Sequence, residues 1–139
     1  MGIKTFAIRQ AASWTARSIE RWRQNAPQDQ ANIMLQLVQS AKHTVYGRDH
    51  HFDKIHTYED FKRYVPITDY EGLRPYIDRI TNGEPDILWP GKPKYFAKTS
   101  GTTSGVKYIP LTKESMPNHI STARNAMLNY IHQKGNADI

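Results

Sequence analysis

The stretch KTSGTTSGVKYIP (residues 98–110) is a hydroxyl- and glycine-rich loop between two short β-rich segments. Its glycines let the backbone adopt a positive φ and turn successive N–H groups inward, its hydroxyls donate hydrogen bonds, and its lysine adds a positive charge. Such donors suit a polyphosphate, whose oxygens accept charge-assisted hydrogen bonds from several directions. The residues that we expect to form this phosphate cradle are Ser100, Gly101, Thr102, Thr103, Ser104, Gly105 and Lys107.

Two other interpretations of this loop bear on its function. Runs of glycine, serine and threonine also form plain surface turns between strands, so composition alone supports a simple hairpin loop about as well as a phosphate site. The order Gly101-x-x-x-Gly105-x-Lys107 lacks the four-residue gap and the Lys-Ser/Thr ending of a Walker A loop, which disfavours a GTPase or a P-loop ATPase. A nucleotide triphosphate is still a ligand that the loop fits.

The residues on either side of the loop are typical of short strands. Segments 95–99 and 107–111 are predicted to pair as a β-hairpin. Thr112 is then predicted to cap a final helix that reaches about Gln133 and ends near Gly135 and Asn136. The apolar face expected of this helix consists of Met116, Ile120, Ala123, Met127 and Tyr130.

Upstream of the loop the sequence predicts two long helices. The first covers about 3–24, the tripeptide Asn25-Ala26-Pro27 supplies a break, and a second helix with regularly spaced apolar residues ends at Gly47. The first helix carries apolar side chains in two stripes, which predicts contacts on more than one of its sides. One stripe contains Ile3, Phe6, Ala7, Ala11 and Trp14, and the other contains Ile8, Ala12, Ile19 and Trp22.

Two pairs of residues resemble capping boxes that open shorter helices. Thr57 with Asp60 is the first pair, and Thr68 with Glu71 is the second. Pro75 is expected to kink or restart the second of these helices. A turn at Asn82-Gly83 follows.

The resulting fold class is α+β, mainly helical with one small β-hairpin. We divide the chain into a helical part (1–81), a linker rich in proline and glycine (82–94), a β-loop-β phosphate motif (95–111) and a helix (112–134). The linker holds Ile87, Leu88 and Trp89, which can anchor it against a core.

Composition limits the partners of this chain of 139 residues, whose formal net charge is +6. Much of the excess lies before residue 25, where Glu20 is outnumbered by Lys4, Arg9, Arg17, Arg21 and Arg23. Such a segment can touch RNA, a membrane surface or an acidic protein, but it more often forms the solvated face of a helix. We therefore predict neither a nucleic-acid partner nor a membrane partner.

Cysteine is absent, which excludes disulfides and thiolate metal sites and permits a reducing compartment. Lys4 and Arg9 interrupt the first apolar residues, so a signal peptide is not predicted, and no run approaches the length of a membrane span. The predicted location is the cytoplasm.

The histidines and serines offer few candidates for other chemistry. Four histidines fall in or near a polar connector without a helical i, i+4 pair, so loop histidines are a better interpretation than a metal site. Ser100 and Ser104 lack an assignable general base for nucleophilic catalysis. No metal ligands are predicted. The histidines concerned are His43, His50, His51 and His56.

The loop and its flanks resemble a known family. SGTTSGVK with YFA before it and YIP after it resembles the phosphate-binding motif of adenylate-forming enzymes. The longer runs AKHTVYG, YEDFKRYVPITDYEGLRPYIDRI and GEPDILWPGKPKYFAKTSGTTSGVKYIPLTKESM are similar to the N-terminal part of the GH3 acyl-acid amido synthetases, and to bacterial members more than to plant members. Val106 stands where the wider superfamily usually has proline, which weakens the resemblance to acyl-CoA ligases and is compatible with the GH3 branch.

This resemblance implies a two-step reaction. A carboxylic acid reacts with Mg-ATP to give an acyl-adenylate and pyrophosphate, and an amino acid then displaces AMP to form an amide. Ser100, Gly101, Thr102, Thr103 and the backbone at Gly105 would hold the β- and γ-phosphates, and Lys107 would add catalytic electrostatic stabilisation. The magnesium ligands of the family lie outside this chain. The final helix would line part of the acid pocket. Its polar side chains could contact the acid there, or they could all face solvent: Asn118, His119, Arg124 and Asn125.

The resemblance also implies a fragment of a longer enzyme. Family members are several times longer and have an α/β adenylate-forming fold, so this chain would be the N-terminal part of their large adenylation domain and inactive alone. Its partners would be ATP, a carboxylic acid and the remainder of the parent polypeptide, and exposed strand edges could pair it into a homo-oligomer. Two alternatives stay open: a free-standing nucleotide- or anion-binding module, and a basic helical interaction protein.

Overall fold

The computed structural model describes residues 3–100 and 105–135. It is mainly helical and contains one antiparallel sheet of two strands, which confirms the predicted fold class. A 3-10 turn at Phe52–Lys54 lies between the second and third helices. The elements are α1 (Ile3–Ala41), α2 (Val45–Asp49), α3 (Tyr58–Tyr64), α4 (Tyr70–Thr81), β1 (Tyr95–Lys98), β2 (Tyr108–Leu111) and α5 (Met116–Lys134).

The contacts within the chain divide it into two compact units. The first unit combines the residues up to Asp29 with those from Glu114 onward, and the second unit runs from Gln30 to Lys113. Helix α1 therefore contributes its first part to one unit and its last part to the other. The hairpin and its loop belong to the second unit.

The break predicted at Asn25-Ala26-Pro27 is wrong, because α1 is a single helix with Pro27 inside it. A proline inside a helix removes one backbone hydrogen bond and crowds the carbonyl four residues earlier, here that of Arg23. Arg23 and Pro27 are both exposed, so water can solvate that carbonyl. The predicted end at Gly47 is also wrong, since α1 stops at Ala41 and Gly47 lies in the separate helix α2.

The residues that the first unit buries agree only in part with the predicted apolar faces, since Ala12 was expected in a stripe of α1 and Ile131 was not expected on the face of α5. Ala12 of α1 and Ile131 of α5 are its buried apolar side chains among the described residues. The guanidinium of Arg9 donates a hydrogen bond to the carbonyl of Gly135, where α5 ends in a left-handed conformation. Apolar residues that were expected on packed faces are exposed instead: Ile3, Phe6, Trp14, Trp22, Ile120, Met127 and Tyr130.

The described residues of the second unit form two buried clusters. Val38, Ala41, Phe52 and Ile55 form the first cluster, where the end of α1 meets the 3-10 turn and α3. The second cluster consists of Ile77 and Ile80 from α4 and Ile87 from the linker. Burial of Ile87 confirms that this part of the linker is anchored on a core.

The start of α2 is held by groups from distant parts of the second unit. The Thr44 side chain accepts a hydrogen bond from the backbone N–H of Gly47 at 3.0 Å. The N–H groups of Val45 and Tyr46 donate to the carbonyls of Asp86 and Ile87 at 2.8 and 3.0 Å. These bonds satisfy first-turn donors that a helix cannot satisfy internally.

Side-chain caps fix the starts of α3 and α4. The capping box of Thr57 and Asp60 is confirmed, because each side chain accepts a hydrogen bond from the other's backbone N–H. The box expected from Thr68 and Glu71 is wrong, since Asp69 caps α4. An aspartate caps a helix as well as a threonine does, so the helix begins one residue later than a Thr68 cap would set.

Two further prolines lie inside helices without ending them. Pro75 is an internal residue of the continuous α4, so it does not restart that helix. Pro117 is the second residue of α5, where its missing N–H would have no internal partner in any case. Helix α5 begins at Met116 with Ser115 at its N-cap position, so the prediction that Thr112 caps this helix is wrong.

Candidate functional site

The hairpin brings the two ends of the glycine-rich loop together. Strands β1 and β2 pair in antiparallel register, and the innermost pair is Lys98 with Tyr108. Beyond this pair, the N–H of Thr99 donates to the carbonyl of Lys107 at 3.1 Å. The N–H of Lys107 donates back to the Thr99 hydroxyl at 3.4 Å. The predicted hairpin is thus confirmed, and Lys107 has a fixed backbone at the end of the loop.

The structure describes the predicted phosphate cradle only at its two ends, Ser100 on one side and Gly105 and Lys107 on the other. Ser100 is exposed directly after β1 and Thr99. Gly105 has φ 76°, which confirms the need for glycine there, and no heavy atom lies within 4 Å of the position that a Cβ would take. Lys107 is half-buried. The predicted residues Gly101, Thr102, Thr103 and Ser104 lie outside the described residues.

Tyr70, in the first turn of α4, contacts the end of the loop and was not identified from the sequence. Its hydroxyl accepts a hydrogen bond from the N–H of Tyr108 at 2.9 Å and lies 3.5 Å from the carbonyl oxygen of the same residue. The ammonium of Lys107 lies 5.3 Å from the centre of the Tyr70 ring. Local sequence signals do not join residues 38 positions apart, so only the fold could reveal this contact.

The charges around Tyr70 leave the Lys107 ammonium available. The guanidinium carbon of Arg74 lies 5.7 Å from the centre of the same ring, but Arg74 forms an ion pair with Glu71 at 2.7 Å. The hydrogen bond from Arg74 to Glu71 raises the pKa of the guanidinium. Within residues 3–100 and 105–135, no carboxylate forms an ion pair with Lys107. As far as the described residues go, an anion at the loop would meet a lysine whose charge no ion pair offsets.

The polar side chains suggested for an acid pocket lie on α5 in the first unit. Asn118, His119 and Arg124 are exposed, and Asn125 is half-buried. The guanidinium of Arg124 donates to the side-chain oxygen of Asn125 at 3.4 Å. Exposure of three of the four is what the solvent-facing alternative predicts.

Some of the connector histidines pack on tyrosine rings. His50 stacks on Tyr46 with ring centres 3.9 Å apart, and its Nδ1 lies 3.0 Å from the Tyr46 carbonyl oxygen. His51 meets Tyr64 edge to face at 5.5 Å. Among the described residues, no three histidine, aspartate or glutamate side chains come together as metal ligands would. None of the helices in these ranges is long and apolar enough to cross a membrane.

Comparison with known proteins gives a consistent set of relatives. The model of the GH3 family N-terminal domain matches residues 15–137. Indole-3-acetic acid-amido synthetase GH3.15 of Arabidopsis thaliana is 45% identical over 80 residues, which are 55% of this chain and 13% of that protein. Indole-3-acetic acid-amido synthetase GH3.5 and 4-substituted benzoates-glutamate ligase GH3.12, also from Arabidopsis thaliana, are each 31% identical over 70% and 68% of this chain, and over 16% of their own length.

A solved structure agrees with the sequence comparison. The AtGH3.15 acyl acid amido synthetase in complex with 2,4-DB matches 77% of this chain with a TM-score of 0.70 and 32% sequence identity, and the match covers 19% of that protein. The chain thus spans less than a fifth of the length of these relatives. The relatives named above are plant proteins, so they lend no support to the expectation of a bacterial-type member.

Proposed function

Because this chain belongs to the GH3 family, we propose that it is the N-terminal part of the large adenylation domain of an ATP-dependent acyl-acid amido synthetase. The observation that carries the proposal is the family match over residues 15–137, a range that includes both strands of the hairpin and the loop between them. The parent enzyme would have an α/β adenylate-forming fold. In that enzyme this chain would supply a helical part (1–81), a linker (82–94), the phosphate motif (95–111) and a helix of the acid pocket (112–134).

The proposed reaction makes an amide in two steps. A carboxylate oxygen of the acid forms a bond to the α-phosphorus of ATP, and the bond from that phosphorus to the bridging oxygen of pyrophosphate breaks. The amino group of an amino acid then attacks the acyl carbon and gives up a proton, and AMP leaves as the amide forms. In the first step, negative charge grows on the departing pyrophosphate and needs stabilisation.

The loop is where this chain would supply that stabilisation. Lys107 is the group proposed to act on the leaving pyrophosphate, since it is held at the end of the hairpin and no described carboxylate neutralises it. Backbone N–H groups near Gly105 would face the phosphates, because a positive φ turns consecutive amides inward. Hydroxyl and backbone donors proposed for the β- and γ-phosphates complete the set: Ser100, Gly101, Thr102, Thr103 and Ser104.

The parent enzymes are expected to use magnesium together with ATP. Residues 3–100 and 105–135 bring no three carboxylates or imidazoles together. Hydrated Mg²⁺ is usually held by one or two carboxylates and by the substrate's own phosphates. We derive no step through this ion, and its protein ligands are proposed to lie elsewhere in the parent.

The remainder of the parent polypeptide is the proposed partner of the second unit. An open apolar groove runs along the end of α1, and several of its side chains are exposed, including Ile33 and Leu37. Exposed apolar surface of this kind marks an interaction site in a stable protein. The other residues that line the groove include Met34, Val38, Phe61 and Trp89. A cytoplasmic location and pairing of strand edges between copies belong to the same proposal.

The experiment that tests the proposed function uses the full-length enzyme that contains this chain. Lys107→Ala should slow acid-dependent ATP–pyrophosphate exchange by about 100-fold, the effect typical of losing one preorganised electrostatic partner. Amide formation from a supplied acyl-adenylate should stay near its original rate, because the pyrophosphate has already left. Lys92→Ala, which removes an exposed lysine of the same unit, is the matched control.

Other outcomes would point to the alternatives. Equal slowing of both steps by Lys107→Ala contradicts the proposed role. Absence of acid-dependent exchange in the full-length protein, combined with tight and stoichiometric ATP binding by residues 1–139 alone, would favour a nucleotide-binding module. If the full-length protein shows no acid-dependent exchange and residues 1–139 do not bind ATP, the alternative that remains is a basic helical interaction protein.

A further inference from the structure

We propose that Tyr70 is a positioning residue for Lys107. It would hold the ammonium with its ring and hold the adjoining backbone with its hydroxyl. The inference rests on the proposed function, in which Lys107 meets the phosphates of ATP. Tyr70 itself is not expected to touch the nucleotide. The Tyr70 side chain makes two contacts that support this role. The centre of its ring lies 5.3 Å from the Lys107 ammonium, and its hydroxyl accepts a hydrogen bond from the N–H of Tyr108 at 2.9 Å.

Tyr70 is itself held firmly. It occupies the first position of α4, directly after Asp69, whose carboxylate accepts the N–H of Gly72 at 3.0 Å and so fixes the start of the helix. The Tyr70 side chain is half-buried and packs on the cluster that contains Ile77 and Ile80. A ring anchored by a capped helix and a core can determine where a flexible partner lies.

Lys107 needs such a partner because a lysine side chain is long and has several rotatable bonds. The backbone is already fixed from one side by the two hydrogen bonds with Thr99, and from the other by the bond from Tyr108 to Tyr70. These backbone bonds do not restrain the four-carbon side chain. If the side chain had to become ordered only when ATP binds, the entropy lost would offset part of the advantage of a preformed site. Contact with the Tyr70 ring restricts the positions that the ammonium samples.

An aromatic ring is better suited to this task than a carboxylate. A carboxylate would take up N–H donors and cancel the positive charge, whereas a ring face attracts the cation through its quadrupole and leaves N–H donors for an anion. The second cation on the same ring, Arg74, is compensated by its ion pair with Glu71. The contact with Tyr70 thus holds Lys107 while keeping it reactive toward phosphate.

The first test reads the contact without using activity. In the 139-residue chain, the ring current of Tyr70 should displace the NMR signals of the Lys107 ε-methylene group. Tyr70→Leu should abolish that displacement and Tyr70→Phe should keep it. Lys62 and Lys94 are matched controls, because they lie 5.0 and 5.4 Å from the rings of Tyr58 and Tyr95, and their signals should not move. Unchanged Lys107 signals in Tyr70→Leu would overturn the proposal.

The second test is a double-mutant cycle in the full-length enzyme. Tyr70→Leu should lower kcat/KM for ATP in the exchange reaction by about 10-fold when Lys107 is present and by less than about 2-fold in Lys107→Ala. Tyr70→Phe should recover most of the loss. An equal loss in both backgrounds would mean that Tyr70 is only structural. If control signals show that Tyr70→Leu is unfolded, Tyr70→Met takes its place in both tests.

The two proposals fail in different ways. If Lys107→Ala leaves the exchange reaction unchanged, the role of Lys107 in the proposed function is lost, although the ring-current result can still stand. If Lys107→Ala impairs exchange and the cycle is additive, the proposed function stands and the positioning role of Tyr70 is lost.

Discussion

Gly47 is the third residue of α2 and packs against the end of α1, so replacing it with alanine should destabilise the second unit. A Cβ at this position would lie 2.2 Å from the carbonyl oxygen of Ala41, whereas real Cβ atoms almost never approach another heavy atom within 3.0 Å. That oxygen already accepts hydrogen bonds from the N–H and the hydroxyl of Thr44, at 3.0 and 2.7 Å. Both Ala41 and Thr44 are buried, so the clash falls on backbone that is fixed on several sides.

The magnitude follows from three opposing contributions. Overpacking a well-filled site costs about 1–3 kcal/mol. Weakening the two hydrogen bonds to the Ala41 oxygen costs up to about 1 kcal/mol each. The better helix propensity of alanine returns about 1 kcal/mol. We therefore expect Gly47→Ala to lower the free energy of unfolding by about 2–3 kcal/mol.

Gly72→Ala is the matched control, because the distance is similar but the obstacle is different. A Cβ at Gly72 would lie 2.0 Å from the hydroxyl oxygen of Thr68, and that hydroxyl can rotate away. The hydrogen bond that this hydroxyl donates is a long one, to the Asp69 carbonyl at 3.4 Å. Gly72 lies in an exposed first turn of α4, so alanine there should be neutral or stabilise by up to about 1 kcal/mol.

Urea unfolding followed by circular dichroism at 222 nm measures the difference. Gly47→Ala should lower the midpoint by about 1 M relative to the unsubstituted chain, while Gly72→Ala should leave it unchanged or raise it. Equal midpoints for the two variants would refute the reasoning. They would mean that the Ala41 carbonyl yields as readily as a threonine side chain.

The remaining predictions concern the dependence of stability on pH. Thr57→Ala removes the α3 capping box and should cost about 1 kcal/mol at neutral pH, measured by urea unfolding. The hydrogen bond from the Thr57 hydroxyl lowers the pKa of the Asp60 carboxylate below its ordinary 3.8, so the part of the stabilisation that this bond contributes is lost as the pH falls through that lower pKa. The difference in the free energy of unfolding between Thr57→Ala and the unsubstituted chain should therefore become smaller at that pH. A difference that stays constant would contradict this role of the Thr57 hydroxyl. Burial, followed by the 2.9 Å hydrogen bond to Asp49, raises the pKa of Tyr76 from 10.0 to about 12. The unfolded chain loses this proton first, so stability should fall between pH 10 and 12, less steeply in Tyr76→Phe, and parallel curves would argue against it.

Local signals allowed the hairpin and one cap to be predicted. Residues on either side of the loop have strand character and a glycine-rich turn between them, so pairing followed directly from adjacency. The capping box of Thr57 and Asp60 depends on neighbours within one turn. At Thr68, two good caps were adjacent in sequence, and the choice of Asp69 depends on where the rest of α4 packs.

Predictions that required knowledge of packing were less successful. Pro27 was expected to end a helix because the local cost is large, yet α1 continues on both sides of it. Apolar spacing on α5 is compatible with more than one face, and the buried residue proved to be Ile131 rather than Met127. The contact of Tyr70 with Lys107 joins two elements that only the tertiary fold brings together.

The bonds at the start of α2 also constrain the order in which the chain acquires its structure. A helix of five residues is too short to persist in water by itself. The carbonyls of Asp86 and Ile87 that accept its first N–H groups come about forty residues later, so a long loop must close before those bonds form. Helix α2 should therefore form late, together with the linker. The amide hydrogens of Val45 and Tyr46 should exchange with solvent only when that segment detaches.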